Sequence, residues 1–96
     1  MDKQVVHTPK VPPARVPLSQ AIKVGDWVFA SGQLGLDVAT GKLVPGGIAA
    51  ETRQVAENLK AVLEAGSSLD KVVKVTIQCA ALVVGARVEI EAIGYI

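Results

Sequence analysis

Ninety-six residues, half of them apolar, with a formal charge of +1 and three aromatic rings, make one small domain with no length for a second. Lysines and arginines are scattered and the rings (Trp27, Phe29, Tyr95) do not interleave with a basic stripe, which argues against a nucleic-acid groove. One histidine (His7) and one cysteine (Cys79) exclude a zinc cluster within one chain and any internal disulfide; no metal or cofactor is expected.

A chain of this size buries only about 60–65% of its unfolded surface, so stability should be marginal unless subunits associate. The start lacks a basic segment followed by an apolar run, and the longest apolar stretch is short and broken by Gly85. Neither a signal peptide nor a membrane span is expected, and the default is a soluble, cytoplasmic protein.

In chain order, Gln4 to His7 reads as a short edge strand before a lead-in holding Pro9, Pro12, Pro13 and Pro17. Ser19 to Val24 and Trp27 to Gly32 read as two strands. The Gly25-Asp26 pair between them is a two-residue hairpin signal, because glycine accepts positive φ without a Cβ clash. Residues 37 to 47, with Thr40-Gly41 and Pro45-Gly46-Gly47, read as a loop. Apolar or semi-apolar residues at Ile48, Thr52, Val55, Leu59, Val62 and Leu63 then trace one face of a helix over 48–65. Glu51, Arg53, Gln54, Glu57, Asn58, Lys60 and Glu64 fall on the polar side. Gly66 stands where a left-handed C-cap is wanted, whereas no good N-cap precedes Ile48. Ser67 to Asp70 is a turn and Val72 to Ile77 a β-branched strand. The last segment alternates, with Val88, Ile90 and Ala92 on one face and Arg87, Glu89 and Glu91 on the other. Strands, one main helix and further strands predict a single α+β domain over 1–96 with an antiparallel or mixed sheet.

Two stretches carry chemistry. In Ser31-Gly32-Gln33, at the end of the run Trp27-Val28-Phe29-Ala30, Gly32 lets a small ligand approach the backbone while the Ser31 hydroxyl and nearby N–H groups bind its carboxylate. As a bare tripeptide it is more often only a strand ending in a turn. In Glu89-Ile90-Glu91-Ala92 the two carboxylates share a strand face, and from spacing alone a solvated face is the simpler reading.

The order of Ser31-Gly32-Gln33, Leu34-Gly35-Leu36-Asp37, Thr40-Gly41 and the amphipathic stretch from Ile48 to Ala65 resembles the RidA/YjgF family, small trimeric proteins that hydrolyse reactive enamines and imines. Pro17 to Ile77 match almost continuously, and Ala80 to Ile96 match the family's C-terminal strands. The resemblance implies a chorismate-mutase-like architecture, a homotrimer with pockets at its seams, and a small imino or enamino acid, or a similar carboxylate, as ligand. It implies no nucleic-acid or membrane partner. It makes Glu89, the first Glu of the family's Glu-x-Glu-Ala motif, the residue that orders the attacking water, and it sets Ser31, Gly32 and Gln33 against the substrate.

The chain departs from the family in three places. Between Ile77 and Ala80 it omits the second helix and the start of the following strand, about 30 residues, the size of a βαβ crossover. Parallel strands need such a crossover, so either the end turns back as a hairpin or strands exchange between subunits. The omitted part also holds the Pro-Ala-Arg-Ser motif, whose arginine clamps the substrate carboxylate. Arg15, in Pro13-Ala14-Arg15-Val16, and Arg87, beside Glu89, are the candidates to replace it, and an exposed charge is the simpler reading of both. Leu18 stands where many members carry a tyrosine. Cys79 has no visible base partner and reads as a small buried residue. Three readings stay open: a hydrolase, impaired or intact; a non-catalytic trimeric ligand-binding or interaction protein; and an internally deleted product without independent function.

Overall fold

In the computed structural model, which describes residues 2–13, 18–80 and 82–96, five strands form one sheet covered on one face by a single long helix. The strands are β1 (Lys3–Val6), β2 (Ala21–Val24), β3 (Trp27–Gln33), β4 (Val72–Cys79) and β5 (Val88–Tyr95). The helix α1 spans Gly47–Gly66. The sheet order is β1-β2-β3-β5-β4 and every neighbouring pair is antiparallel, so the α+β expectation holds and the mixed alternative falls away.

Gly25, at φ 57, makes the turn between β2 and β3 at the expected place. The chain after β4 turns back as a hairpin. Residues 82–87 complete the reversal through a short 3-10 turn, with Leu82 donating to the Ala86 carbonyl at 2.9 Å. The reversal is tight enough to force Val84 to φ 54. A β-branched residue in that region costs about 1–3 kcal/mol, which the β4–β5 pairing offsets. The hairpin places β5 between β3 and β4, so Glu89 lies on an interior strand.

Helix α1 buries a different face from the one its apolar residues trace. Val55, Leu59, Val62 and Leu63 do enter the core. Ile48 is 50% exposed and Thr52 is also exposed, while Glu51 and Asn58 are buried. The reason lies in what the first half of the helix meets. Its second half faces the sheet's side chains. Its first half faces backbone: the loop at Gly35, where a Cβ would stand 2.9 Å from the Glu51 Cα, and the start of β5. A polar neighbour calls for polar side chains, and apolar periodicity cannot register that.

The ends of the helix are made by glycine and backbone. Gly46 and Gly47, at φ 113 and 78, lead into the first turn without a side-chain cap. Gly66 is not a left-handed cap. It stays within the last turn, and Ser67 closes the helix in extended backbone by donating to the Leu63 carbonyl at 2.6 Å. Gly66 is small because a Cβ there would meet Val6 Cγ2 at 3.0 Å.

Val28, Val55, Val62, Leu63, Val88 and Ala92 form the centre of the core, each at most 2% exposed. The helix lies over β1, β2, β3 and β5 and leaves β4 bare. On β4, Val75, Ile77 and Cys79 pair with Ala92, Ile90 and Val88, which are buried on the helix side. Val75 and Ile77 are nevertheless 49% and 59% exposed, because among the described residues no element covers their end of that face. The thiol of Cys79 is exposed for the same reason, against the expectation of a buried residue. The opposite face carries Trp27 and Phe29, also exposed, paired with Tyr95 and Ile93. Total accessible surface is 5986 Å² for 10.0 kDa. That is about 750 Å² more than the area–mass relation gives for a monomer of this mass. No helix among the described residues is long and apolar enough to cross a membrane.

Candidate functional site

The site is built where β3 changes register against β5. Ala30 pairs with Ala92 and Gln33 with Ile90, so Ser31 and Gly32 together oppose the single residue Glu91. Two residues facing one is a β-bulge, a device that bends a strand and re-aims its neighbours. It brings Gly32 under the side chain of Glu89. A Cβ at Gly32 would stand 2.5 Å from Glu89 Cδ and 2.8 Å from its Cγ and Oε1. The two motifs that lie 57 positions apart in the sequence are thus in contact, and the half-buried Glu89 carboxyl rests on glycine backbone.

Ser31 is used differently from the expectation. Its hydroxyl donates to the Ser19 carbonyl at 2.6 Å and its N–H donates to the Gln20 carbonyl at 2.9 Å. Both of its donors are therefore turned to the chain entering β2 rather than to open space, while the oxygen keeps acceptor capacity. Gln20 in turn exchanges hydrogen bonds with the backbone of Thr8, at 2.6 and 3.1 Å, tying the lead-in to the same corner. Gln33 is half-buried at the end of β3, two positions past Ser31.

Glu91 points to the same sheet face as Glu89, opposite Thr76 as Glu89 is opposite Gln78. It borders an open depression of about 180 Å³ with Phe29, Lys74, Thr76 and Ile93. That depression lies beside Glu89 along the strand and does not enclose it. Arg87 does not join the two carboxylates. It precedes β5, and it turns toward α1, where the carboxylate of Glu51 accepts from the Arg87 backbone N–H at 2.9 Å and from Nη1 at 2.7 Å. Glu51 is 1% exposed although the Arg87 side chain is 60% exposed. The backbone hydrogen bond from Arg87, followed by the one from its guanidinium, holds the Glu51 carboxyl below its ordinary value. Arg15 lies outside the described residues. Leu18 is exposed at the entry to β2.

Glu51 and Asn58 are the site-supporting residues that sequence reasoning placed on the polar side. Asn58 Nδ2 donates to the carbonyls of Leu34 and Leu36 at 3.0 and 2.9 Å, and its Oδ1 accepts from Gln54. It fixes the loop that leaves Gln33. The loop is closed beyond that by Asp37, whose side chain accepts from Ala39 and Thr40. The one signal available in the sequence was their spacing of seven, two helical turns on one face, which is common in any polar helix stripe.

A two-layer α+β domain with a glycine-supported carboxylate on an interior strand defines the class, and the comparisons name it. The family model described as Endoribonuclease L-PSP matches residues 8–80, and with the relatives that follow it shows that the chain belongs to the RidA/YjgF family. It is 51% identical over 78 residues to a RutC family protein of Pyrococcus abyssi, covering 80% of this chain and 61% of that protein. The chain thus spans less than two thirds of that relative's length. It is 37% identical to the mouse protein named 2-iminobutanoate/2-iminopropanoate deaminase, covering 95% of this chain and 90% of the relative. That alignment is 121 positions long against a chain of 96 residues, so at least 25 positions of the mouse protein (121 − 96) face a gap. Among solved structures, RidA from the Antarctic bacterium Psychrobacter superimposes with a TM-score of 0.89 at 39% identity, covering 97% of this chain and 99% of the other. TdcF of E. coli with bound serine gives 0.89 at 25% identity, covering 97% and 98%.

Proposed function

We propose that this protein hydrolyses reactive 2-imino acids, and the 2-enamines in equilibrium with them, to 2-keto acids and ammonia. The observation that carries the proposal is the contact between Glu89 and Gly32. It brings the carboxylate of the Glu-x-Glu-Ala motif onto backbone with no side chain in the way. The relatives named 2-iminobutanoate/2-iminopropanoate deaminase supply the reaction class.

The chemistry needs little. Glu89 accepts a proton from water while the water oxygen bonds to the imine carbon. The resulting carbinolamine carries the nitrogen as a leaving group. Starting from the protonated imine, Glu89 returns its proton to that nitrogen, the C–N bond breaks with ammonia as the leaving group, and Glu89 takes the hydroxyl proton as the carbonyl forms. The substrate carboxylate meets the end of β3. Since the donors of Ser31 face Ser19 and Gln20, Gln33 and the adjoining backbone take its place in holding that group. The pocket is completed by a neighbouring subunit in a homotrimer. The surplus of exposed surface supports association, since it approaches the ~800 Å² that each partner contributes to an interface of standard size.

A second reading, binding without turnover on the same fold, is favoured by one observation. The guanidinium of Arg87 is held by Glu51, and a carboxylate clamp depends on a free planar fork. One pair of measurements separates the two readings. Light scattering after size exclusion should give a single trimeric species. The purified protein should then accelerate the conversion of an enzymatically generated 2-imino acid, and Glu89→Ala should abolish that acceleration. A trimer that shows no acceleration at high protein concentration, yet binds 2-keto acids, establishes the second reading and removes the first.

A further inference from the structure

The two chain segments that meet at Glu89 and Gly32 are both tied to one face of α1, and neither tie is made by the site itself. On one side, Glu51 accepts from the Arg87 backbone N–H and from its guanidinium, and Arg87 stands two residues before Glu89. On the other, Asn58 donates to the carbonyls of Leu34 and Leu36, just past Gln33. Glu51 and Asn58 are seven residues apart, hence on one stripe of the helix, and both are at most 3% exposed. The loop presses against that stripe as closely as backbone can, since a Cβ at Gly35 would overlap the Glu51 backbone.

A buried carboxylate is costly to keep unless it is fully paired, and Glu51 is paired to a backbone donor that any residue at position 87 except proline would supply. The second partner, the guanidinium, reaches in from a side chain that is otherwise exposed. The bond to backbone is what matters geometrically, because it sets where β5 begins. The strand's first interior-facing residue, Val88, is 2% exposed, and Glu89 follows on the opposite face. A shift of the strand start along its axis carries Glu89 off the glycine.

We infer that Glu51 is a positioning residue for Glu89: by holding the Arg87 backbone against α1 it fixes the start of β5, so that the Glu89 carboxyl is kept on the Gly32 backbone. Asn58 is its counterpart for the β3 side of the contact. The inference rests on the proposed role of Glu89 as the base that activates water.

The test is a double-mutant cycle between Glu51→Gln and Glu89→Gln, read as kcat and KM for the 2-imino acid. Glu51→Gln leaves one neutral oxygen for two donors and sets an amide NH2 against the other, so its hold on the Arg87 backbone is weakened. Loosening a reacting group by about 1 Å costs up to ~10²-fold in rate, so kcat should fall by roughly ten- to a hundredfold with KM within about twofold. In the Glu89→Gln background the same substitution should leave the residual rate unchanged, because positioning acts only through the group positioned. A kcat for Glu51→Gln equal to wild type overturns the inference, and so does an equal loss in both backgrounds, which a merely structural role would give.

Amide hydrogen exchange supplies a reading that does not need turnover. In Glu51→Gln the amides of Gly32 and of Val88 to Ile90 should exchange at least about tenfold faster, while those of Ile93 to Tyr95 stay as in wild type. No change, or a uniform acceleration along β5, overturns it. Glu51→Asp, whose shorter side chain cannot hold the Arg87 backbone N–H in the same place, is read in the same way and serves if Glu51→Gln does not fold. A wild-type rate in Glu89→Gln alone would remove Glu89 as the base, and the exchange pattern would then decide whether Glu51 anchors the strand.

Discussion

Replacing Gly32 by alanine separates the chemistry of the site from the stability of the fold. The new Cβ would stand 2.5 Å from Glu89 Cδ and 2.8 Å from Cγ and Oε1. Carbon atoms in ordinary contact keep about 3.5–4.0 Å, so the carboxyl has to retreat by about 1 Å or more. The group that must move is the rotatable end of a glutamate and not backbone, and Gly32 does not have a positive φ. Alanine is therefore tolerated by the chain, with a stability cost below about 1 kcal/mol, partly offset by the entropy it removes from the unfolded state. For a domain of this size that is a shift in Tm of no more than ~4–8 °C. The effect on rate is far larger. A displacement of about 1 Å at the reacting group costs ~10²-fold, about 2.7 kcal/mol in the activation barrier. The assay is the release of 2-keto acid from an enzymatically generated 2-imino acid, alongside a thermal melt of the same preparation. Gly32→Ala with an intact melt and an undiminished rate would refute both the contact and the role given to Glu89.

Leu63→Ala, at a side chain with no exposed surface, should cost about 2–5 kcal/mol and lower Tm by roughly 10 °C or more in a calorimetric scan. Asn58→Leu keeps the volume but leaves the Leu34 and Leu36 carbonyls unpaired. Urea unfolding should show a loss of about 1–3 kcal/mol for each carbonyl that water does not reach, while Ile48→Ser on the exposed side stays within about 0.5 kcal/mol. Glu51 titrates below its ordinary 4.5 because Arg87 donates to it, so the folded state binds fewer protons there than the unfolded one. Its contribution is complete above pH 4.5 and is lost as pH falls through the folded value. The Tm gap between wild type and Glu51→Gln should therefore narrow below about pH 4.5, and a gap that widened would contradict the pairing.

Much of the fold was legible because it rests on local rules. The Gly25-Asp26 turn, the helix over 48–65 and the alternation of Val88, Ile90 and Ala92 each follow from backbone freedom or from a single period of burial, and each starts within one residue of its expected place. The strands extend past their expected ends, β4 to Cys79 and β5 to Tyr95, because once paired they continue as long as the partner does. The site was legible in part. Gly32 and Glu89 could be named from motifs, but their contact depends on the bulge at Ser31-Gly32, which needs β5 beside β3 to exist. Ser31 was read as a ligand donor because its hydroxyl is free in the sequence. In the fold that hydroxyl donates to the Ser19 carbonyl.

The amino-acid sequence by itself determined the family, the order of the elements and, among the described residues, the single α-helix, all of which are properties of residues near one another along the chain. Tertiary structure decided what those residues face. It turned Arg87 from the strand face to Glu51, buried Glu51 and Asn58 in a stripe that reads as solvated, and left the thiol of Cys79, which reads as buried, bare beside Val75 and Ile77. The physical reason is the same in each case. A side chain's environment is set by whichever element packs against it, and here those partners come from 24 to 36 positions away in the chain, while among the described residues α1 does not extend over β4.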